Sequence, residues 1–120
     1  MTLLDSARDA RSRAIATYSN YRVGAALLAA DGSIYTGANI ENATYGLTMC
    51  AERVALYRAL HEGAREFVAI AVAAEGLVTP CGACRQLLWE FCGDIDVVLD
   101  GRTMKLGDLL PDAFDRRNLR

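Results

Sequence analysis

No apolar run in this 120-residue chain approaches the roughly 18 residues that a membrane-spanning helix requires. The longest, Val23 to Ala30 and Val68 to Ala74, read instead as buried strands. The amino terminus lacks a basic stretch leading into an apolar one, so no secretory signal is expected and the expected location is the cytoplasm. An excess of positive charge is also missing: 13 basic against 15 acidic residues give a net charge of −2. That balance excludes the electrostatic footprint of a polynucleotide binder. The arginines that stand out, Arg8, Arg11 and Arg13 near the start and Arg116, Arg117 and Arg120 at the end, read as solvated terminal faces. There is no repeat, low-complexity tract or linker, and at this length residues 1–120 are expected to form one domain.

Apolar residues, by contrast, are plentiful. They make up 52 % of the chain, and with the ten glycines the share is about 60 %, against roughly 45–50 % in an average globular protein. Such an excess suggests surface buried between subunits. Leu3, Ala7, Ala10, Ala14 and Tyr18 recur at helical spacing and predict an amphipathic helix over residues 2–17, with a turn at Ser19-Asn20. Arg22 to Ala29 and Ser33 to Ala38 flank Asp31-Gly32, a hairpin pair because both residue types tolerate positive φ. A helix is expected from about Thr48 to Glu62, stopped by Gly63. Phe67 to Ala74 shows no polar alternation, which implies a strand covered on both faces. Pro80 opens a further helix whose stripe of Cys84, Leu87, Leu88 and Phe91 should face the core, and Ile95 to Leu99 is the next strand. Strand, helix and strand over residues 67–99 make a βαβ unit with parallel strands. The expected result is a single-domain α/β protein with a mixed sheet between helices.

Four cysteines in a reducing compartment suit metal binding or catalysis better than disulfides. Cys81 and Cys84, in Pro80-Cys81-Gly82-Ala83-Cys84, lie three apart at a helix start and so share a face. Cys50 holds the matching place at the start of the previous long helix, with Glu52 and Arg53 just after it. Helix amino termini and a metal supply the positive potential that ionises thiols. Zinc suits soft sulfur ligands, and three protein ligands rather than four leave a position open for water, the catalytic pattern. Three thiolates and a divalent ion sum to −1, a charge that Arg53 is placed to offset, while Glu52 is the candidate proton carrier. Other readings compete. A thioredoxin-like dithiol would have a cis-proline opposite it, yet the only prolines are Pro80, inside the motif, and Pro111. A closed structural zinc site would need Cys92 or His61 as fourth ligand. Cys92 lies roughly 12 Å further along its helix, and His61, in the last turn of its own, suits a carbonyl-facing role. Trp89 reads as a packing residue.

Cys50-Ala51-Glu52-Arg53 followed by Pro80-Cys81-Gly82-Ala83-Cys84-Arg85-Gln86 resembles the signature of the zinc-dependent nucleoside deaminases in an all-cysteine variant. Tyr18 to Leu27, Asn39 to Gly46 and Leu109 to Phe114 resemble further segments of the small homotetrameric cytidine deaminases, so that the likeness covers nearly the whole chain. Two positions depart from the usual family residues: Thr17, where proline is common before Tyr-Ser, and Tyr21, where phenylalanine is commoner.

The resemblance implies a three-layer α/β/α fold with a mixed, roughly five-stranded sheet and one zinc ion per chain on Cys50, Cys81 and Cys84. It implies that Glu52 shuttles protons, Arg53 hydrogen-bonds the thiolates, Ala51 offers its amide to the base and Tyr21 lines the base pocket. Asn39 and Glu41 would hold the ribose 3′-hydroxyl. In a homotetramer, neighbouring subunits would complete each site, with Ala43 and Tyr45 at the 5′ side of the sugar and Phe114 stacked on the base. The implied reaction is hydrolytic deamination of free cytidine and deoxycytidine, with no nucleic-acid or membrane partner. Two rivals are a deaminase of the same fold acting on an aminoacyl-nucleoside antibiotic and a non-catalytic zinc-stabilised binding module.

Overall fold

Thr2 starts the first helix with a reciprocal cap: its hydroxyl accepts from the Asp5 amide while the Asp5 carboxylate accepts from the Thr2 amide. The computed structural model describes residues 1–76 and 78–119, so Arg120, grouped above with the surface charges, lies outside the described residues. Helix α1 (Leu3–Ala10) runs into a 3-10 turn (Arg11–Arg13) and ends there, not at residue 17. The reason is long-range pairing. Ile15 N donates to Asn39 O and Glu41 N donates to Ile15 O, both at 2.9 Å, which draws the chain into an extended bridge flanked by buried Ala14 and Ala16.

Strands β1 (Val23–Ala29) and β2 (Ile34–Ala38) form the expected antiparallel hairpin. Of its turn pair only Gly32 takes positive φ, at 92°, while the Asp31 carboxylate accepts from Ser33 N at 2.9 Å. Gly32 N donates to Ala29 O and Ala29 N to Ser33 O, the pattern of a three-residue loop with its glycine left-handed. Helix α2 spans Ala51–His61. It begins later than Thr48 because Met49 is paired with Ile40 in both directions, and it stops at Gly63, whose φ is 96°. Strand β3 (Phe67–Ala74), helix α3 (Gly82–Cys92) and strand β4 (Asp96–Leu99) make the expected unit, with β3 and β4 parallel. Pro80 precedes α3 by two residues, and Cys81 caps it. A final strand β5 (Arg102–Lys105) and short helix α4 (Leu106–Leu109) follow.

The sheet order is β2-β1-β3-β4-β5, with every neighbouring pair antiparallel except β3 and β4. Alternate residues of the central strands point to opposite layers. Ala26, Ala71 and Ala73 meet Ala7 of α1 on one face, whereas Ala25, Leu27, Ile70, Val72 and Val97 meet α2 and Leu88 of α3 on the other. The three-layer expectation therefore holds, and β3 is covered on both faces. Phe91 departs from its expected place: it is 44 % exposed, and the core stripe of α3 consists of Cys84, Leu87 and Leu88. Two glycines set the layer spacing. A Cβ on Gly24 would fall 2.0 Å from Ala7 O, and one on Gly37 would fall 2.5 Å from Ala55 N and 2.6 Å from Ala51 O. The start of α2 thus rests directly on the β2 backbone. Among the described residues no helix is long and apolar enough to cross a membrane.

Candidate active site

Cys50 and Cys81 occupy equivalent positions, each the extended residue immediately before the first turn of a helix, α2 and α3 respectively. Neither thiol makes a capping hydrogen bond, so both are available to a ligand. Cys84 follows from the first turn of α3 and is fully buried. The Sγ atoms of Cys50 and Cys81 are 3.9 Å apart, those of Cys81 and Cys84 3.3 Å apart, and all three lie within 4.8 Å of one another. A tetrahedral zinc site with bonds of about 2.3 Å requires sulfur separations of about 3.8 Å. The donor set and its spacing fit zinc. Cys92, at the far end of α3, lies outside the cluster, and burial pushes its thiol up to about 12. His61 is exposed in the last turn of α2.

The charges of the cluster are strongly coupled. A hydrogen bond from Cys84, aided by Arg53, lowers the Cys50 thiol to about 5. The same contact with Cys50, together with burial, drives the Cys84 thiol up. Without a cation, Cys50 rather than Cys84 is therefore favoured as the thiolate. Arg53 Nη2 donates to Cys50 Sγ at 3.5 Å, and its Nε is buried without a hydrogen-bond partner among the described residues. Glu52, second residue of α2, is only 5 % exposed, and burial raises its carboxyl to about 6. A buried carboxyl near neutrality is suited to accepting and returning a proton.

These groups open onto a cleft of about 320 Å³, at the small end of the range for small-molecule pockets. Cys50, Ala51, Glu52 and Cys81 line it together with Ser19, Tyr21, Asn39 and Glu41. The Ala51 amide belongs to the first turn of α2, where helix N–H groups have no intrahelical acceptor. Asn39 is buried and bonded twice, accepting from Val23 N at 2.8 Å and donating to Tyr21 O at 2.9 Å. Glu41 accepts from the amides of Tyr18 and Ser19 at 2.9 Å each, and from the Ser19 hydroxyl.

Eight of the residues singled out in the sequence are therefore brought together around one cleft: Cys50, Cys81, Cys84, Glu52, Ala51, Tyr21, Asn39 and Glu41. Arg53 supports the cluster from behind Cys50. Tyr45 borders an adjoining depression shared with Ser19, Glu41 and Thr48, edge-on to Tyr18, and is 77 % exposed. Ala43 and Phe114 do not reach the cleft of their own chain; Phe114 is 55 % exposed, with its carbonyl held by Gln86 Nε2 at 2.5 Å. Sequence reasoning missed Ser19, Thr48 and Thr79 as cleft residues. The Ser19 contact with Glu41 spans 22 residues, so no local spacing betrays it.

Comparison with known proteins agrees with this geometry. The family model described as the cytidine and deoxycytidylate deaminase zinc-binding region matches residues 1–99. A cytidine deaminase of Sporosarcina psychrophila is 48 % identical over 125 residues, covering 98 % of this chain and 92 % of that one. A probable cytidine deaminase of Dictyostelium discoideum is 45 % identical, covering 97 % and 84 %. The crystal structure of cytidine deaminase from Burkholderia pseudomallei superimposes with a TM-score of 0.87 at 48 % identity, covering 95 % of this chain and all of that one.

Proposed function

Because the chain belongs to the cytidine and deoxycytidylate deaminase family, we propose that its cleft hydrolyses the C4 amino group of cytidine and deoxycytidine, releasing uridine or deoxyuridine and ammonia. The observation that carries this reading is the convergence of three thiols within 4.8 Å, at two helix starts, beside a carboxyl that is 5 % exposed. Cys50, Cys81 and Cys84 hold zinc, which supplies the Lewis acidity that lets a water molecule ionise near neutral pH. Arg53 offsets the surplus negative charge of three thiolates. Glu52 accepts a proton from the water and delivers it to N3 of the base while the water oxygen bonds to C4; it then carries the second proton from that oxygen to the amino group, so that the C4–N bond breaks and ammonia leaves. The Ala51 amide and Tyr21 hold the base, while Glu41 accepts from the ribose 3′-hydroxyl and the free proton of the Asn39 amide donates to its oxygen.

The open side of the cleft calls for a neighbour. Tyr45 and Phe114 are large and exposed, and the chain is richer in apolar residues than average. Both facts support a homotetramer in which Ala43 and Tyr45 of one copy approach the 5′ side of the sugar and Phe114 of another stacks on the base. Free nucleosides as substrates place the activity in pyrimidine salvage, and thiols that must stay reduced suit the cytoplasm.

The test is ultraviolet absorbance of cytidine mixed with zinc-loaded protein. Wild type is expected to convert it to uridine, Glu52→Ala to be inert, and Glu52→Gln to keep its zinc while losing at least about 10²-fold in turnover. No conversion by wild type carrying one zinc per chain overturns the assignment.

A further inference from the structure

We propose that Ser19 is a positioning residue that sets the cleft's selectivity for a sugar 3′-hydroxyl by fixing which part of the Glu41 carboxylate faces the substrate. The proposal rests on the reading above that Glu41 accepts from that hydroxyl.

An ionised carboxylate offers about four acceptor positions. The amides of Tyr18 and Ser19 fill both on Oε1, each at 2.9 Å, and the Ser19 hydroxyl fills one on Oε2. One position remains, on Oε2. The Ser19 hydroxyl is itself constrained, because its oxygen accepts from Tyr21 N at 3.0 Å and its proton is directed at Glu41. Asn20 closes this turn with a φ of 57° and donates its amide to Ala16 O, while Ile15 clamps the backbone of residues 39 and 41 from the other side. Both partners are thus fixed before a ligand arrives. The donors from Ser19, its hydroxyl first, also hold the Glu41 carboxyl below the usual carboxylate range, so that it acts only as an acceptor.

Ser19 and Glu41 both line the cleft that contains Cys50 and Glu52. A sugar hydroxyl completes the carboxylate, whereas a sugar without that hydroxyl leaves one acceptor position facing its carbon framework. Sites built to bond a hydroxyl reject its absence strongly. Loss of the Ser19 hydroxyl frees Oε2 to turn and take other donors, and the discrimination should weaken without damage to the metal cluster.

The experiment compares cytidine with 3′-deoxycytidine in wild-type and Ser19→Ala protein, by kcat/KM and by the affinities of uridine and 3′-deoxyuridine from calorimetry. Wild type is expected to favour the 3′-hydroxyl in both. Ser19→Ala should lower kcat/KM for cytidine about tenfold, mainly through KM, and leave 3′-deoxycytidine within about twofold, so that the selectivity ratio falls about tenfold. Ser19→Thr, which keeps the hydroxyl, should hold the wild-type ratio, and Ser19→Gly carries the test should the alanine variant fail to fold. An equal fall for both substrates or an unchanged ratio in Ser19→Ala overturns the positioning role, and so does a ratio in Ser19→Thr as low as that of Ser19→Ala. A wild type that ignores the 3′-hydroxyl while still deaminating cytidine overturns instead the reading of Glu41, and the proposal with it.

Discussion

Two parts of the cleft lining are built by different means. At the thiols, two helix starts and a sheet of one chain bring Cys50, Cys81, Cys84 and Glu52 together, with Cys84 fully buried and Glu52 nearly so. Around Glu41, the turn at residues 18–20 and the segment at residues 39–48 make an open wall, and Tyr45 stands 77 % exposed. A reacting centre must be dry and held to a fraction of an ångström, which packed layers can supply within one chain. The protomer thus supplies the thiol cluster by itself, while in the proposed tetramer a neighbour would enclose the substrate.

The sharpest way to break that division is to remove the metal. If the protomer alone creates the charge environment, Cys50 of the zinc-free protein, lowered to about 5, is alkylated at pH 7 far faster than Cys92, raised to about 12. Mass-spectrometric mapping is expected to show a rate ratio of at least about 10³, and zinc to protect Cys50. Comparable rates for the two cysteines would mean that the cluster exerts no such control. A smaller effect follows from the layer contact beneath α2. Gly37→Ala forces a Cβ to within 2.5 Å of Ala55 N and should cost about 1–3 kcal/mol, read as a lowered denaturant midpoint together with weaker zinc binding. An unchanged midpoint would show that α2 is free to shift. The mildest perturbation falls on the open side. Phe114→Ala should leave stability unchanged, since the ring is more than half exposed, and raise KM for cytidine roughly three- to tenfold, the worth of one aromatic stack. Light scattering completes this test, because a monomeric mass for wild-type protein at micromolar concentration would remove any neighbour to which Phe114 could contribute.

How much of this was legible in the sequence follows the range of the interactions. The metal ligands stood out because Cys81 and Cys84 are separated by one helical turn and Cys50 repeats the arrangement at the previous helix start. The hairpin turn and the stop at Gly63 were likewise local matters of backbone preference. Features decided by distant partners were hidden. Helical spacing continues through Ala14 to Tyr18, yet the chain leaves the helix because Ile15 finds the backbone of residues 39 and 41. Met49 pairs with Ile40 and so delays α2 to Ala51. Phe91 fits the apolar stripe of α3 but rotates beyond its cover. The strand Arg102–Lys105 has too few apolar residues to announce itself, and it forms because Asp96 to Leu99 offers an edge to pair with.

The position of the cysteines also has a meaning in time. Cys50 enters α2 before β3, and Cys81 and Cys84 enter α3 after it, so the cluster exists only once both junctions flank the same central strand. The β1–β2 hairpin is local and can form early, whereas the parallel pairing of β3 with β4 must await the crossover through α3. A chain stalled between these events has thiols but no cluster. Zinc then stabilises only the finished arrangement, by linkage with folding, and a filled site is a record that the two helix junctions have met.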